Sequence, residues 1–382
     1  MNSFDDKLRD LREQGLLRQR RTVEGSQEAV LTVNGQKLLA FASNDYLGLA
    51  NHPDLALAAH RALDRFGLGS GASALISGHS EPVATLETEL AQWLGYERVL
   101  HFSTGYMANL GIIPALVDAG AAVFSDALNH ACLIDGIRLS RAGDVNIYAH
   151  GDMTALEGAL KQSKAFEKWI ITDAVFSMDG DVAPLKTIVA LAEQYDARVL
   201  VDDAHGFGVL GKEGQGTLSH LGIRSTRVIY MATLGKAAGV YGAFVAASAD
   251  VIEWLMQRAR TYIFTTGTPP VLAAACLASL NRIRQDEFRR DCLRVLGARL
   301  QNGLKGLPWT ALPSVTAIHP LVLGDNFTVT RIADALRDRG IWVPAIRPPT
   351  VPEGAARLRI SLSANHGVEH VDELLSALRS LA

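Results

Sequence analysis

From about Pro53 to Ala249, short runs rich in β-branched residues alternate with amphipathic stretches: ERVLHF, AAVFSD, DVNIYA, KWIITDAVF, ARVLVDDAHG, TRVIYMATLG and VYGAFVAAS. Past its first residue, the run from Arg198 to Val201 is apolar on both faces. That is the pattern of a strand covered by helices on either side of a mostly parallel sheet. The alternation predicts βαβ units and a large α/β domain with helices on both faces of its sheet. Ahead of it, Phe4 to Arg20 carries Leu8, Leu11, Leu16 and Leu17 at helical spacing among charges, which predicts an amphipathic helix. After Pro270 the character changes. A long helical stretch from about Val271 to Asn302 leads to strand-like AIHPLVL and ARLRISL, and to helix-like VTRIADALRDRG and VEHVDELLSALRSL. These predict a smaller C-terminal α+β domain. The expected division is an N-terminal helix and strand segment at 1–50, the large domain at 51–280 and the small one at 281–382.

Composition narrows the class. With 48% apolar and 20% charged residues in 382, the chain is too apolar for disorder, and no apolar run reaches the roughly 18 residues of a membrane span. The first ten residues, MNSFDDKLRD, lack the apolar core of a secretory signal, so a cytoplasmic location is expected. Three cysteines without a CxxC pair support neither a disulfide framework nor a cysteine metal site. A net charge of −3 argues against nucleic acid as a partner.

Some short motifs lose their chemistry on inspection. GFGVLGK (Gly206 to Lys212) with VDDAH before it suggests a nucleic-acid-stimulated ATPase, but Glu213 stands where Mg²⁺ wants a hydroxyl, and the order of the two motifs is reversed. Gly67, Gly69 and Ala72 follow a helical stretch and read as a turn, not a dinucleotide fingerprint. His366 and His370 are spaced i, i+4 without a third ligand, and an exposed helix start explains them, so no metal site is expected.

Another set converges. Lys236 in TLGKAAG follows a strand in a Gly-rich, otherwise uncharged setting, where burial would favour the neutral, nucleophilic amine. Asp202 ends the strand ARVLVDD, and strand C-termini line the ligand crevice of doubly wound sheets. A lysine with an acidic partner for a pyridine nitrogen is the pattern of pyridoxal-phosphate enzymes. Gly105 and Tyr106 open a helix whose free N–H groups suit a phosphate. His130 follows another strand and could lie flat on the cofactor ring or merely cap its helix. His205 and Ser177 could reach the phenolic oxygen.

These residues sit in FASNDYLGLANHP, GSGASALISGHS, STGYMANLG, SDALNHACLIDG, VFSMDGDVAPL, VDDAHGFGVLG, TLGKAAG and AIRPPTVPEGAARLRISLSANH. In these segments the chain resembles the α-oxoamine synthases, fold-type I pyridoxal 5'-phosphate transferases, from its N-terminal helix to its C-terminal one. The resemblance implies Lys236 as the lysine holding the cofactor, Asp202 on the pyridinium nitrogen and His130 stacked on the ring. It sets His205 and Ser177 near the phenolic oxygen, and Gly105, Tyr106 and Thr233 on the phosphate side. Arg359 would hold an amino-acid carboxylate, with Arg18 and Thr350 in the substrate pocket. The closest member type implies L-alanine and a pimeloyl thioester as substrates, in biotin synthesis. Burial of the pimeloyl carboxylate then calls for a cation, Arg18 or Arg347. Family members making aminoketobutyrate or aminolevulinate from glycine share the same catalytic residues and stand as the alternative. A homodimer with its active site at the subunit interface is also implied. Departures are Ala72 for glycine, Cys132 for serine, Asp173 for glutamate and Ala238 for phenylalanine.

Overall fold

The structure, a computed structural model, describes residues 3–382. The chain divides into two compact units. The larger comprises Leu49–Phe176 and Val182–Glu287, and the smaller comprises the residues up to Gly48, Ser177–Asp181 and Phe288–Ala382.

The larger unit is built on a seven-stranded sheet in the order Arg98–Phe102, Ala243–Ala247, Val228–Thr233, Arg198–Asp202, Lys168–Asp173, Ala122–Asp126, Asp144–Tyr148. Only Ala243–Ala247 runs antiparallel to its neighbours; the other pairings are parallel. The central strands are buried along almost their whole length, which explains their apolar runs. Ile112, Ile113, Leu133, Ile137, Ile229 and Met231 form part of one core cluster, each worth about 1.5–3 kcal/mol relative to exposure. Register sets Asp173 beside Asp202, and Asp202 beside Met231, two residues before its strand ends at Thr233, so the three strands finish close to one another.

The strand Arg198–Asp202 stops because its acidic end turns on itself. Asp202 Oδ1 accepts the Ala204 N–H at 2.9 Å, and the Asp203 carbonyl accepts from Gly206 and Phe207. Below the turn, the Asp203 carboxylate accepts from the Thr217 N–H at 2.6 Å, the Thr217 hydroxyl at 2.5 Å and the Tyr230 hydroxyl at 2.9 Å. A Cβ on Gly216 would run into that carboxylate, and its φ of +100° also requires glycine.

The smaller unit holds two four-stranded sheets. In one, Ile341–Trp342 joins Gln36–Ala40 in parallel. The other is antiparallel and pairs Ile318–Gly324 with Ala356–Ser361. The helices Asn326–Asp338 and Val368–Leu381 fall where periodicity sets them.

Three local readings change. The first helix spans Phe4–Glu13 and does not reach Arg20, because Gly15 adopts φ +67° and Leu16 and Leu17 bond back to Leu11. The stretch after Pro270 is two helices, Pro270–Gln285 and Glu287–Leu304, parted by Asp286 at φ −92°, ψ 60°. Aspartate competes for backbone hydrogen bonds outside helices, which favours such a break. His366 is not at an exposed helix start. It is buried ahead of that helix, stacked on Phe41 at 4.5 Å, with Nε2 3.0 Å from the Ala40 carbonyl. Among the described residues no helix is long and apolar enough to cross a membrane.

Candidate active site

In the larger unit the aligned strand ends collect most of the residues singled out above. Asp202 is 3% exposed. Its Oδ2 accepts from Asn109 Nδ2 at 2.7 Å, and with Ala204 on Oδ1 each oxygen receives a neutral N–H donor, the pattern of a carboxylate anion. Asn109 Nδ2 also lies 3.1 Å from Cys132 Sγ. His130 caps the helix Ala131–Ser140: its Nδ1 accepts the Cys132 N–H at 3.2 Å and lies 2.8 Å from Cys132 Sγ. Its own N–H donates to Asp173 Oδ2 at 2.7 Å. Capping is therefore observed, and it leaves the ring edge carrying Nε2 for other work. Burial holds His130 below its usual range, outweighing the attraction of Asp202. Asp173 is pushed well up by burial, with Asp202 adding repulsion. Asp203 is pushed up to about 7, chiefly by burial.

Lys236 Nζ lies 2.8 Å from His205 Nε2. His205 is buried on the turn that Asp203 anchors, which fixes it relative to Asp202 three residues earlier. Thr233 ends its strand with its hydroxyl donating to the Gly242 carbonyl at 2.9 Å and accepting from the Gly235 N–H at 3.2 Å. Beside it begins the helix Gly105–Leu116: a Cβ on Gly105 would stand 3.9 Å from Thr233 Cβ. Thr104 caps that helix by accepting from Met107. The N–H groups of Gly105 and Tyr106 have no partner among the described residues, which leaves two donors and the positive helix end for an anion. The Tyr106 hydroxyl bonds Asp135, and its ring meets that of His130 edge-on at 6.4 Å.

The smaller unit contains Arg359, 5% exposed on the strand Ala356–Ser361. Its guanidinium donates to the Ser177 carbonyl at 2.5 Å, Asn44 Oδ1 at 3.1 Å, the Ser361 hydroxyl at 2.9 Å and the Tyr46 hydroxyl at 3.1 Å. All four acceptors are neutral, so among the described residues no carboxylate balances this buried charge. Ser177 thus contributes its carbonyl here. Arg347 is half-buried and donates to the Gly15 carbonyl, while Thr350 is exposed and closes a turn onto the Arg347 carbonyl at 3.1 Å. Burial lowers the Arg347 pKa, and the nearby charge of Arg18 lowers it further. Arg18 is exposed.

Sequence reasoning overlooked Asn109, Asp203, Asn44 and Tyr46. Asn109 hides in the apolar run MANLGIIPAL, and nothing local signals that a partner 93 residues away needs it. The GFGVLGK segment is no phosphate cradle: Phe207, Val209 and Leu210 are core residues.

The family model for aminotransferase class I and II matches residues 36–378. The chain belongs to this family. It is 57% identical over 98% of its length to the 8-amino-7-oxononanoate synthase of Herminiimonas arsenicoxydans, 97% of which is covered. It is 55% identical to that of Aromatoleum aromaticum, with 98% and 97% covered. Among solved structures it is similar to the serine palmitoyltransferase of Sphingomonas wittichii, at 30% identity and TM-score 0.93 over 99% of this chain and 97% of that one. A high-resolution structure of SPT with PLP gives 29% and 0.93 over 99% and 96%. The 8-amino-7-oxononanoate synthase of Francisella tularensis gives 29% and 0.79 over 90% and 97%.

Proposed function

We propose that the chain is an 8-amino-7-oxononanoate synthase, a PLP-dependent acyltransferase that joins L-alanine to a pimeloyl thioester and releases CO₂ and free thiol in biotin synthesis. The observation that carries this reading is the 57% identity, over nearly the whole of both chains, to a relative of that name.

The residues present fit PLP. Two unpaired N–H donors at the start of Gly105–Leu116 suit its phosphate, with Thr233 alongside. Asp202 is a buried carboxylate suited to a protonated ring nitrogen, and Lys236 is an amine for covalent attachment. His130 has its ring available for stacking, and Ser177 and His205 are the candidates for the phenolic oxygen. When bound, PLP supplies an electron sink that stabilises negative charge at Cα of an amino acid.

The protein's own groups do the rest. Asp202, as an anion, keeps a proton on the ring nitrogen it faces. Arg359 takes the alanine carboxylate, replacing neutral acceptors with a charge-assisted pair and balancing its own buried charge. Lys236 Nζ, steadied by His205 Nε2, receives the proton leaving Cα and later returns one. Arg347, with Arg18 beside it, meets the far carboxylate of the pimeloyl chain. The enzyme works as a homodimer. Leu68, Leu75, Ile76 and Phe264, between 49% and 80% exposed on segments that the Ser73–Thr266 bridge ties together, support this.

The test is product analysis of the purified protein with PLP, alanine and pimeloyl thioester, set against glycine with acetyl thioester. Formation of 8-amino-7-oxononanoate is expected. Preference for the glycine pair would replace the reading with an aminoketobutyrate-forming one.

A further inference from the structure

Asn109 has no solvent exposure. Each hydrogen of its Nδ2 has an acceptor, Asp202 Oδ2 at 2.7 Å and Cys132 Sγ at 3.1 Å. At the other end of the same amide, Oδ1 is buried without a hydrogen-bond partner. An orphaned buried acceptor is destabilising. Reversing the amide would set Oδ1 against a carboxylate, which is worse. An apolar side chain of the same size would remove the orphan altogether, so what the amide contributes is its pair of donors.

Cys132 extends the chain of contacts. Burial pushes its thiol up, so the sulfur keeps its proton and can donate while accepting from Asn109. Its sulfur lies 2.8 Å from His130 Nδ1 and 4.0 Å from Asp202 Oδ2, and its backbone N–H donates to the same Nδ1 at 3.2 Å. An Nδ1 that accepts the Cys132 N–H, with the thiol alongside, leaves the single proton of a neutral imidazole on Nε2. The charged groups acting on this pair are Asp173, Asp202 and Lys236.

We propose that Asn109 is a positioning residue whose two amide donors hold the Asp202 carboxylate and, by way of Cys132, the Nε2–H tautomer of His130. The inference rests on the reading of this site as the PLP pocket, since only there do an oriented acid and an oriented imidazole serve the same ring. Ala204 holds one Asp202 oxygen and Asn109 the other, so the plane of the carboxylate is set from both sides. The acid and the stacking histidine are thereby one hydrogen-bonded unit, linked from the helix Gly105–Leu116.

The test compares wild type, Asn109→Leu and Asn109→Ser, each labelled with ¹⁵N-histidine, with and without PLP. In wild type the His130 ring nitrogens should report the Nε2–H form in both states. In Asn109→Leu that signature should be mixed, and the pH midpoint of the visible absorption of bound PLP should move. The kcat with alanine should fall about tenfold or more while KM changes less. Asn109→Ser, with one donor, should fall between, and it gives the measurement if the leucine variant does not fold. Variants with the wild-type tautomer and absorption midpoint would overturn the inference, whatever their melting temperatures. Failure of the functional reading looks different: wild type would take up no PLP, while the His130 tautomer in the unloaded chain would still depend on Asn109.

Discussion

Lys236 Nζ and His205 Nε2 are 2.8 Å apart, and the two residues arrive from different directions, one just past the strand Val228–Thr233 and the other on the turn after Arg198–Asp202. Lys236 is the amine proposed to attach PLP and to handle the Cα proton. Lys236→Ala is therefore expected to abolish turnover and to leave no PLP fixed to the protein by borohydride. His205→Asn should keep borohydride fixation but slow the exchange of the alanine α-proton with solvent, because the amine loses its neighbour. A Lys236→Ala protein that borohydride still labels at a lysine would refute the assignment.

Arg359 supplies a second prediction. Its planar fork reaches four neutral acceptors, and a lysine cannot reproduce that geometry. Arg359→Lys should raise KM for alanine about tenfold or more, the scale of one lost charge-assisted contact. KM for the thioester should change little. An unchanged alanine KM would mean that the carboxylate binds elsewhere.

Much of this arrangement was legible in the chain, for identifiable reasons. Asp202, Lys236 and His130 each stand at a strand end or helix start, where the hydrophobic pattern changes and a polar residue is conspicuous. Asn109 stands inside an apolar run and Asp203 behind the more conspicuous Asp202, and their partners Cys132, Thr217 and Tyr230 lie on other elements, so only folding reveals them. The first helix ended early because Gly15 bends the backbone there, a conformational preference that the spacing of Leu16 and Leu17 does not register. His366 looked exposed for a similar reason: spacing finds a helix start but not the Phe41 ring above it.

The same His366 predicts a pH effect on stability. Burial lowers its pKa from 6.5 to about 4. A depressed folded value means that the unfolded chain binds more protons between these limits, so stability is complete above pH 6.5 and is lost as pH falls through about 4. At 1.36 kcal/mol per unit the contribution is about 3 kcal/mol. His366→Phe, which can keep the contact with Phe41 but cannot charge, should flatten that part of the profile in denaturant melts at pH 4.5 and 7. A slope identical to wild type would show that His366 does not titrate there.

The last prediction concerns the acyl chain. A pimeloyl group ends in a carboxylate, and burying it unpaired would cost several kcal/mol, so the pocket needs a cation at its far end. Arg347 meets that need. It is half-buried, its guanidinium is anchored by the Gly15 carbonyl, and the repulsion it shares with Arg18 would be relieved by an anion bound between them. Arg347→Gln should raise KM for pimeloyl thioester about tenfold or more, while α-proton exchange of alanine continues at the wild-type rate. Arg18 is exposed and screened by solvent, so Arg18→Gln should have a smaller effect that salt erodes further. Esterifying the distal carboxylate gives the control. The neutral donor should react poorly with wild type and respond little to Arg347→Gln, because the charge that the arginine recognises is gone. If wild type uses the ester as well as the acid, neither arginine reads the end of the chain, and specificity resides in the length of the apolar channel.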